Sequence, residues 1–401
     1  MDTIPATETL YHTDTRLFTF PSATLVAITP YTPQPTSQHT TLHQFHDLTW
    51  TQGEYALAFD KTIFHPFGGG QESDVGSASF PSSSPATTTF TVRQVRFHKP
   101  TGAIWHYGSF QPSPVDTTTL PHPGATCTLS IDPTIRIRNA RLHSAGHLID
   151  LAMIDLGLLA TTPAPDSDSV PGAKPQESGS GANAKPGKGK SGFASGKGNH
   201  TPGDSWVEYD GKIPEGWLPP RDIGDRDAQP HISAQGHPQA SPAADPAVDA
   251  ANAAILAALA GAGGASAPTK GKGAKPSKAA KTPSLPPIDL PATLPGLLTV
   301  SLHRILRAHR DTTTSASVLS YTDAAALCGG SLPVYIPRSS APRIVVLAPG
   351  AVGCPCGGTH VGSVGELWKE GAAEGRNSAV RVVEVTLKKG KLRIRYEVDE
   401  A

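Results

Sequence analysis

The sequence predicts an α+β chain: a small N-terminal β-barrel, then a mixed helix-and-strand domain cut by low-complexity insertions. Three observations carry that prediction. Short apolar or alternating runs, rich in β-branched and aromatic residues and separated by Pro, Gly and Ser clusters, fill the first third. A helical period sets in after Thr134. Gly, Ser, Pro, Ala and Lys then crowd two internal stretches that have almost nothing to bury.

Taken in order, residues 17–28, 55–64, 90–98 and 103–110 read as strands, and the barrel ends near 129–132. Between two of these strands lies the loop His65-Pro66-Phe67-Gly68-Gly69-Gly70-Gln71-Glu72-Ser73-Asp74-Val75-Gly76. Residues 135–157 read as a helix, with Leu142, Ala145, Leu148, Ile149, Ala152 and Met153 as its apolar set and Gly157 as its stop. Residues 161–200 are expected to be disordered. A strand and turn at 205–214, a loop at 222–245, an Ala-rich helix at 246–260 and low complexity at 261–287 follow. Residues 298–307 read as a strand, 322–328 as a short helix and 342–347 as a strand running into a turn at 354–361. Residues 380–386 and 391–398 form a hairpin through Lys389-Gly390. The expected domains are 1–132, carrying the glycine motif, and 133–401, interrupted at about 161–203 and 223–290. Loop-closure entropy grows only with the logarithm of length, so such insertions are tolerable.

Composition sets bounds. Hydrophobic residues are 37% and charged residues 17%, both low for a compact chain, while Gly (40) and Pro (39) are in excess. The formal net charge is +0, so an RNA-binding surface has to be local, and nothing points to DNA. The four cysteines are too few for a disulfide framework. The start of the chain has no basic-then-apolar leader, and no run approaches the roughly 18 apolar residues of a membrane span. A cytoplasmic protein without membrane contact is therefore expected. Lysine-bearing stretches at 185–197 and 270–281 read as solvated linkers.

Two motifs have the residue types of a metal site. His143-Ser144-Ala145-Gly146-His147 places two imidazoles one helical turn apart, on one face. Cys354-Pro355-Cys356-Gly357-Gly358-Thr359-His360 adds a soft thiolate and another imidazole on a glycine turn. Thiolate with imidazole suits zinc. The set that results is His143, His147, Cys356 and His360, with Cys354 as the competing thiol.

Gly68-Gly69-Gly70-Gln71 in a β region, His143-x-x-x-His147 and Cys356-Gly357-Gly358-Thr359-His360 occur here in the order found in the alanyl-tRNA editing proteins, and the chain resembles that family. These are free-standing relatives of the editing domains of alanyl- and, more distantly, threonyl-tRNA synthetase. The resemblance covers roughly residues 17–157, 206–214 and 298–398. It implies a translation-protein-like barrel and a two-layer α/β editing domain with one zinc on the four residues above. It also implies hydrolysis of Ser-tRNA(Ala), and often Gly-tRNA(Ala), at the acceptor end of the tRNA. The sequence departs from the family in its insertions and at Phe67, where members usually have an acidic residue before the glycines. The β-like opening leaves no room for an aminoacylation core ahead of the editing domain, so editing in trans is expected.

Selectivity needs a polar group that reads the serine hydroxyl, since an apolar pocket separates such near-isosteres only about a hundredfold. Gln71 and Thr359, polar and close to the motifs, are the candidates, against a plain role as loop groups bonded to backbone. His65 reads as a surface loop histidine rather than a base. The alternative function is a non-catalytic, zinc-stabilised module that binds tRNA or a synthetase.

Overall fold

The structure is a computed structural model that describes residues 4–30, 52–81, 88–111, 120–159, 192–220, 222–223, 229–232, 290–369 and 378–400. The Ala-rich helix expected at 246–260 and the lysine stretches, apart from the end of the first, fall outside these residues.

The first third forms strands β1 (Glu8–Thr9), β2 (Thr19–Pro30), β3 (Tyr55–Phe59), β4 (Lys61–Thr62), β5 (Gly76–Phe80), β6 (Thr88–His98), β7 (Ala103–Gln111) and β8 (Thr126–Ile131). Six of them close a barrel in the order β2-β3-β7-β6-β5-β8, while β1 and β4 pair in parallel beside it. Alternation does the work: Leu25, Leu57, Phe59, Phe90, Val92, Phe110 and Leu129 all face one core. β5 was not read from the sequence. Gly-Ser-Ala-Ser-Phe is a weak strand former, held by antiparallel pairing to β6 and β8 on its two sides.

α1 (Pro133–Asp155) begins where β8 ends. Asp132 caps it, accepting from Thr134 N at 2.8 Å and Ile135 N at 3.1 Å, with Pro133 in the first turn. The second layer is a four-stranded sheet, order β14-β15-β10-β9, from β9 (Gly192–Thr201), β10 (Asp204–Lys212), β14 (Val380–Lys388) and β15 (Lys391–Val398). α1 packs against β9 and β10, and α2 (Leu290–His309) against β14 and α1. A smaller sheet joins β11 (Ser315–Val318), β12 (Arg343–Val346) and β13 (Cys354–Pro355), with the short α3 (Tyr321–Leu327) beside it. The described chain is thus a closed barrel followed by mixed helix and sheet, an α+β arrangement. None of its described helices is long and apolar enough to cross a membrane.

Two expectations need correction. Residues 298–307 form part of a helix, not a strand. Leu298, Val300 and Leu302 alternate, but Leu294, Leu297, Leu298, Leu302, Ile305 and Leu306 are all buried at helical spacing, and burying that stripe decides the matter. Residues 192–201, assigned to a disordered insertion, are strand β9. Its glycines reflect close packing: a Cβ on Gly198 would meet the His200 ring at 2.9 Å. Pro202-Gly203, with Gly203 at φ +79°, turns the chain into β10.

Inside the barrel, His106 is fully buried between Thr62 Oγ1 (2.8 Å) and Leu57 O (3.2 Å), and burial lowers its pKa to about 4. The unfolded chain, at an ordinary 6.5, binds that proton first as pH falls. His106 therefore supports the fold fully above pH 6.5 and progressively less between 6.5 and about 4. Thermal midpoints measured across that window should fall with acid, and His106→Gln should flatten the slope. An unchanged slope in the variant would contradict this assignment.

Candidate metal centre

Helical spacing on α1 stacks the His143 and His147 rings, with centroids 5.1 Å apart. The other half of the centre comes from the end of the small sheet. Cys354 pairs with Val345 and Pro355 with Ile344, which delivers the following turn to α1. Cys356 Sγ then lies 3.3 Å from both His143 Nε2 and His360 Nε2. One ligand atom from each of His143, His147, Cys356 and His360 falls within 4.8 Å of the others. A tetrahedral zinc, with bonds of about 2.3 Å to sulfur and 2.0 Å to nitrogen, sets sulfur and nitrogen about 3.5 Å apart. The observed spacing fits such an ion. So does His147, whose Nε2 is buried with no hydrogen-bond partner while Nδ1 sits 3.6 Å from Asp150 Oδ2.

The charge states suit a cation. Burial alone would raise the Cys356 pKa, but the His143 and His360 imidazoles overrule it and hold the thiol well below its ordinary value. Burial lowers His360 to about 3. Burial also opposes charge on His147, yet Cys354, Asp150 and Cys356 raise its pKa well above normal. An ion binding here would have to displace the proton that His147 retains, which would make its affinity pH-dependent.

Two of the candidate imidazoles, those of His143 and His360, have the outer nitrogen bonded to a side-chain oxygen, the arrangement that fixes tautomer and ring plane at metal sites. His143 Nδ1 donates to Gln71 Oε1 at 2.7 Å. His360 Nδ1 meets Ser144 Oγ at 3.1 Å, one helical residue past His143. Asp150, facing His147, also accepts from Tyr209 Oη at 2.7 Å. Gln71 Oε1 takes a second donor, Thr359 N, at 3.0 Å, and Gln71 Nε2 donates to Thr359 Oγ1 at 2.7 Å. Gln71 and Thr359 are both fully buried. The two residues expected to read a substrate hydroxyl are thus bonded to each other and to His143. Gln71 thereby holds the His143 ring, as a buried carboxamide binds the nearest donors available.

The Cys-Gly-Gly turn is clamped from outside. Arg343 Nη1 donates to Cys356 O (2.7 Å) and Gly358 O (3.0 Å), and its Nε to His12 O (3.1 Å), which ties the turn to the barrel's first residues. Gly358 has no alternative: a Cβ there would stand 2.1 Å from His143 Cε1. The glycine motif approaches from the barrel side. Gly69 and Gly70, at φ +59° and +78°, make a tight turn closed by reciprocal bonds between Gly68 and Gln71, and that turn aims Gln71 inward. Next to it, Asp74 forms a buried ion pair with Arg136 in the first turn of α1 and accepts from His65 N at 2.6 Å. His65, read as a surface residue, is itself buried, and burial holds its pKa well below normal. Phe67 lies under the Arg96 guanidinium at 4.4 Å.

The sequence reading missed His200, Ser144, Asp150 and Tyr396. His200 stacks on His143 at 4.4 Å between centroids. Its Nδ1 meets Tyr396 Oη at 2.6 Å, and that phenol donates to Leu142 O at 3.0 Å. With the phenol proton committed, His200 Nδ1 is the donor and the ring is neutral; burial first, then His143 and His147, lower its pKa to about 2. The available signal was the Pro202-Gly203 turn, which marks a hairpin whose first strand ends at Thr201, next to His200.

Cys354 stays outside the four-atom cluster. It forms part of the wall of an adjoining pocket of about 100 Å³, together with His147, Asp150, Leu151, Leu159 and Leu347. No protein-family model matches the chain, and no curated protein matches it.

These four residues could hold a metal ion, and their spacing is compatible with zinc. Gln71→Leu should weaken zinc binding roughly 10–100-fold, measured by competition with a chromophoric chelator, although Gln71 is not a ligand. Wild-type affinity in that variant would contradict the positioning role.

Proposed function

We propose that the protein is a zinc-dependent hydrolase that removes a wrongly attached amino acid from tRNA(Ala) in trans, with Ser-tRNA(Ala) as its main substrate and Gly-tRNA(Ala) as a second. The observation that carries this reading is the three-His, one-Cys cluster beside a pocket of about 100 Å³ lined by both polar and apolar side chains. The motif resemblance to the alanyl-tRNA editing proteins supports the choice of substrate.

The bond to be cut is the ester joining the amino acid to a ribose hydroxyl. His143, His147, Cys356 and His360 would hold the zinc, which would supply Lewis-acid polarisation of that carbonyl. Asp150 is the carboxylate on the pocket wall and stands ready to orient the attacking water. Leu151, Leu159 and Leu347 exclude solvent around the substrate side chain. Gln71 and Thr359 are the candidates for reading the serine hydroxyl, with Ser195 and Cys354 on the pocket wall as further polar groups. One observation favours the second reading, a zinc-stabilised binding module without catalysis: four protein ligands already complete a tetrahedron, the pattern of structural zinc.

Deacylation separates the two. Ser-tRNA(Ala) should decay far faster than Ala-tRNA(Ala) in the presence of the protein, and a chelator should abolish the difference. Equal, chelator-insensitive decay of both would defeat the enzyme reading.

A further inference from the structure

The imidazole of His200 lies beside the centre but is not among the four candidate ligands. It sits near the end of β9 and is 6% exposed. Its ring lies on the His143 ring, with 4.4 Å between centroids and 16° between planes. His147 stacks on the same ring at 5.1 Å and 14°. Three imidazoles therefore stand nearly parallel, and His143 touches both of the others.

The chain clears a seat for the His200 ring. Gly146 lies on α1 between the two histidine ligands, although glycine is a poor residue for a helix interior. A Cβ there would stand 2.5 Å from His200 Cε1 and 3.0 Å from Tyr396 Oη. A Cβ on Gly198 would meet His200 Nε2 at 2.9 Å. The backbone is held as well: His200 N donates to Gly70 O at 2.7 Å, which ties the strand to the glycine turn that bears Gln71.

The rotation of the ring is fixed from β15. The Tyr396 hydroxyl donates to Leu142 O at 3.0 Å, so it accepts from His200 Nδ1 at 2.6 Å. Leu142 is the residue before His143. One phenol thus ties the edge of the His200 ring to the helix backbone that carries the ligand. A flat ring can lie on another ring in an offset stack, which a branched aliphatic chain cannot do. Gln71 holds the His143 ring at a single atom, Nδ1. A bond at one atom leaves a ring free to tilt about it, and packing on its face removes that freedom.

We propose that His200 is a positioning residue of the metal centre. Its ring holds the plane of His143, so that His143 Nε2 stays turned toward Cys356 Sγ, 3.3 Å away, while Gln71 holds the edge of the same ring. The proposal rests on the reading of the four residues as a metal site and not on the reaction assigned to that site.

The full chain is loaded with zinc, or with cobalt, whose visible bands report the arrangement of its ligands. Zinc affinity is read by chelator competition. His200→Ala should weaken zinc binding about tenfold and shift the cobalt bands. Tyr396→Phe should move both in the same direction by less. His106→Gln, which alters a buried histidine of the barrel core instead, should leave both as in the wild type. Gln71→Leu and His200→Ala act on one ring, so their combined loss should fall short of the product of the separate losses. Unchanged affinity or unchanged bands in His200→Ala, an equal shift in His106→Gln, or losses that multiply would each overturn the positioning role. If His200→Ala does not fold, the same criteria apply to Tyr396→Phe. A wild type that binds neither metal would overturn the centre and this role together. Deacylation is followed separately: an inert protein whose metal binding still depends on His200 would sink the hydrolase reading alone.

Discussion

A carboxamide oxygen sealed from water has to find donors, and the way Gln71 finds them holds this molecule together. Its Oε1 accepts from His143 on the first long helix and from the backbone of Thr359 on the metal turn, while its amide donates to the Thr359 hydroxyl. Three distant segments meet at one side chain with no exposure. Losing it strands two buried donors at once, each costing about 1–3 kcal/mol when left unpaired. Such a group adds little net stability when satisfied, but it penalises every arrangement in which barrel, helix and turn do not meet in this register.

The same logic recurs around the centre with charge. Arg136 carries the start of α1 onto the barrel through Asp74 and also donates to Thr15 O (2.6 Å) and Ile63 O (2.5 Å). Arg304, fully buried on α2, is shared between Asp155 at the end of α1, Asp222 and the Gln229 carbonyl. Arg343 binds the metal turn to the first turn of the barrel. Buried pairs of this kind are poor sources of stability because desolvation offsets much of the attraction. Their contribution is geometric: the helix bearing two ligands is fixed at both ends, and the turn bearing the other two is fixed from outside.

The sequence disclosed what is local and concealed what is not. The spacing of His143 and His147 on a helix, and of Cys356 and His360 on a glycine turn, is a local property, and those four side chains converge. The barrel strands other than β5 could be read because alternation is local too. The helix at Leu290–His309 was misread because its middle imitates alternation over a few residues, while the stripe that settles it extends in both directions. Strand β9 was hidden by its composition: glycine and lysine resemble a linker until a partner strand and the His200 ring show why a Cβ is excluded at Gly198. Gln71 and Thr359 were singled out correctly as residues near the centre, but a sequence does not say which polar group faces which. The donors that Gln71 takes lie most of the chain away, which no local pattern shows.

Everything proposed for this protein assumes a single ion held by one sulfur and three imidazole nitrogens. X-ray absorption at the zinc edge on the purified full-length chain tests that assumption most directly. The account predicts one zinc per chain, with one sulfur at about 2.3 Å and three nitrogens at about 2.0 Å. A shell without sulfur, a shell with two sulfurs that brings in Cys354, or a protein that binds no zinc would contradict it.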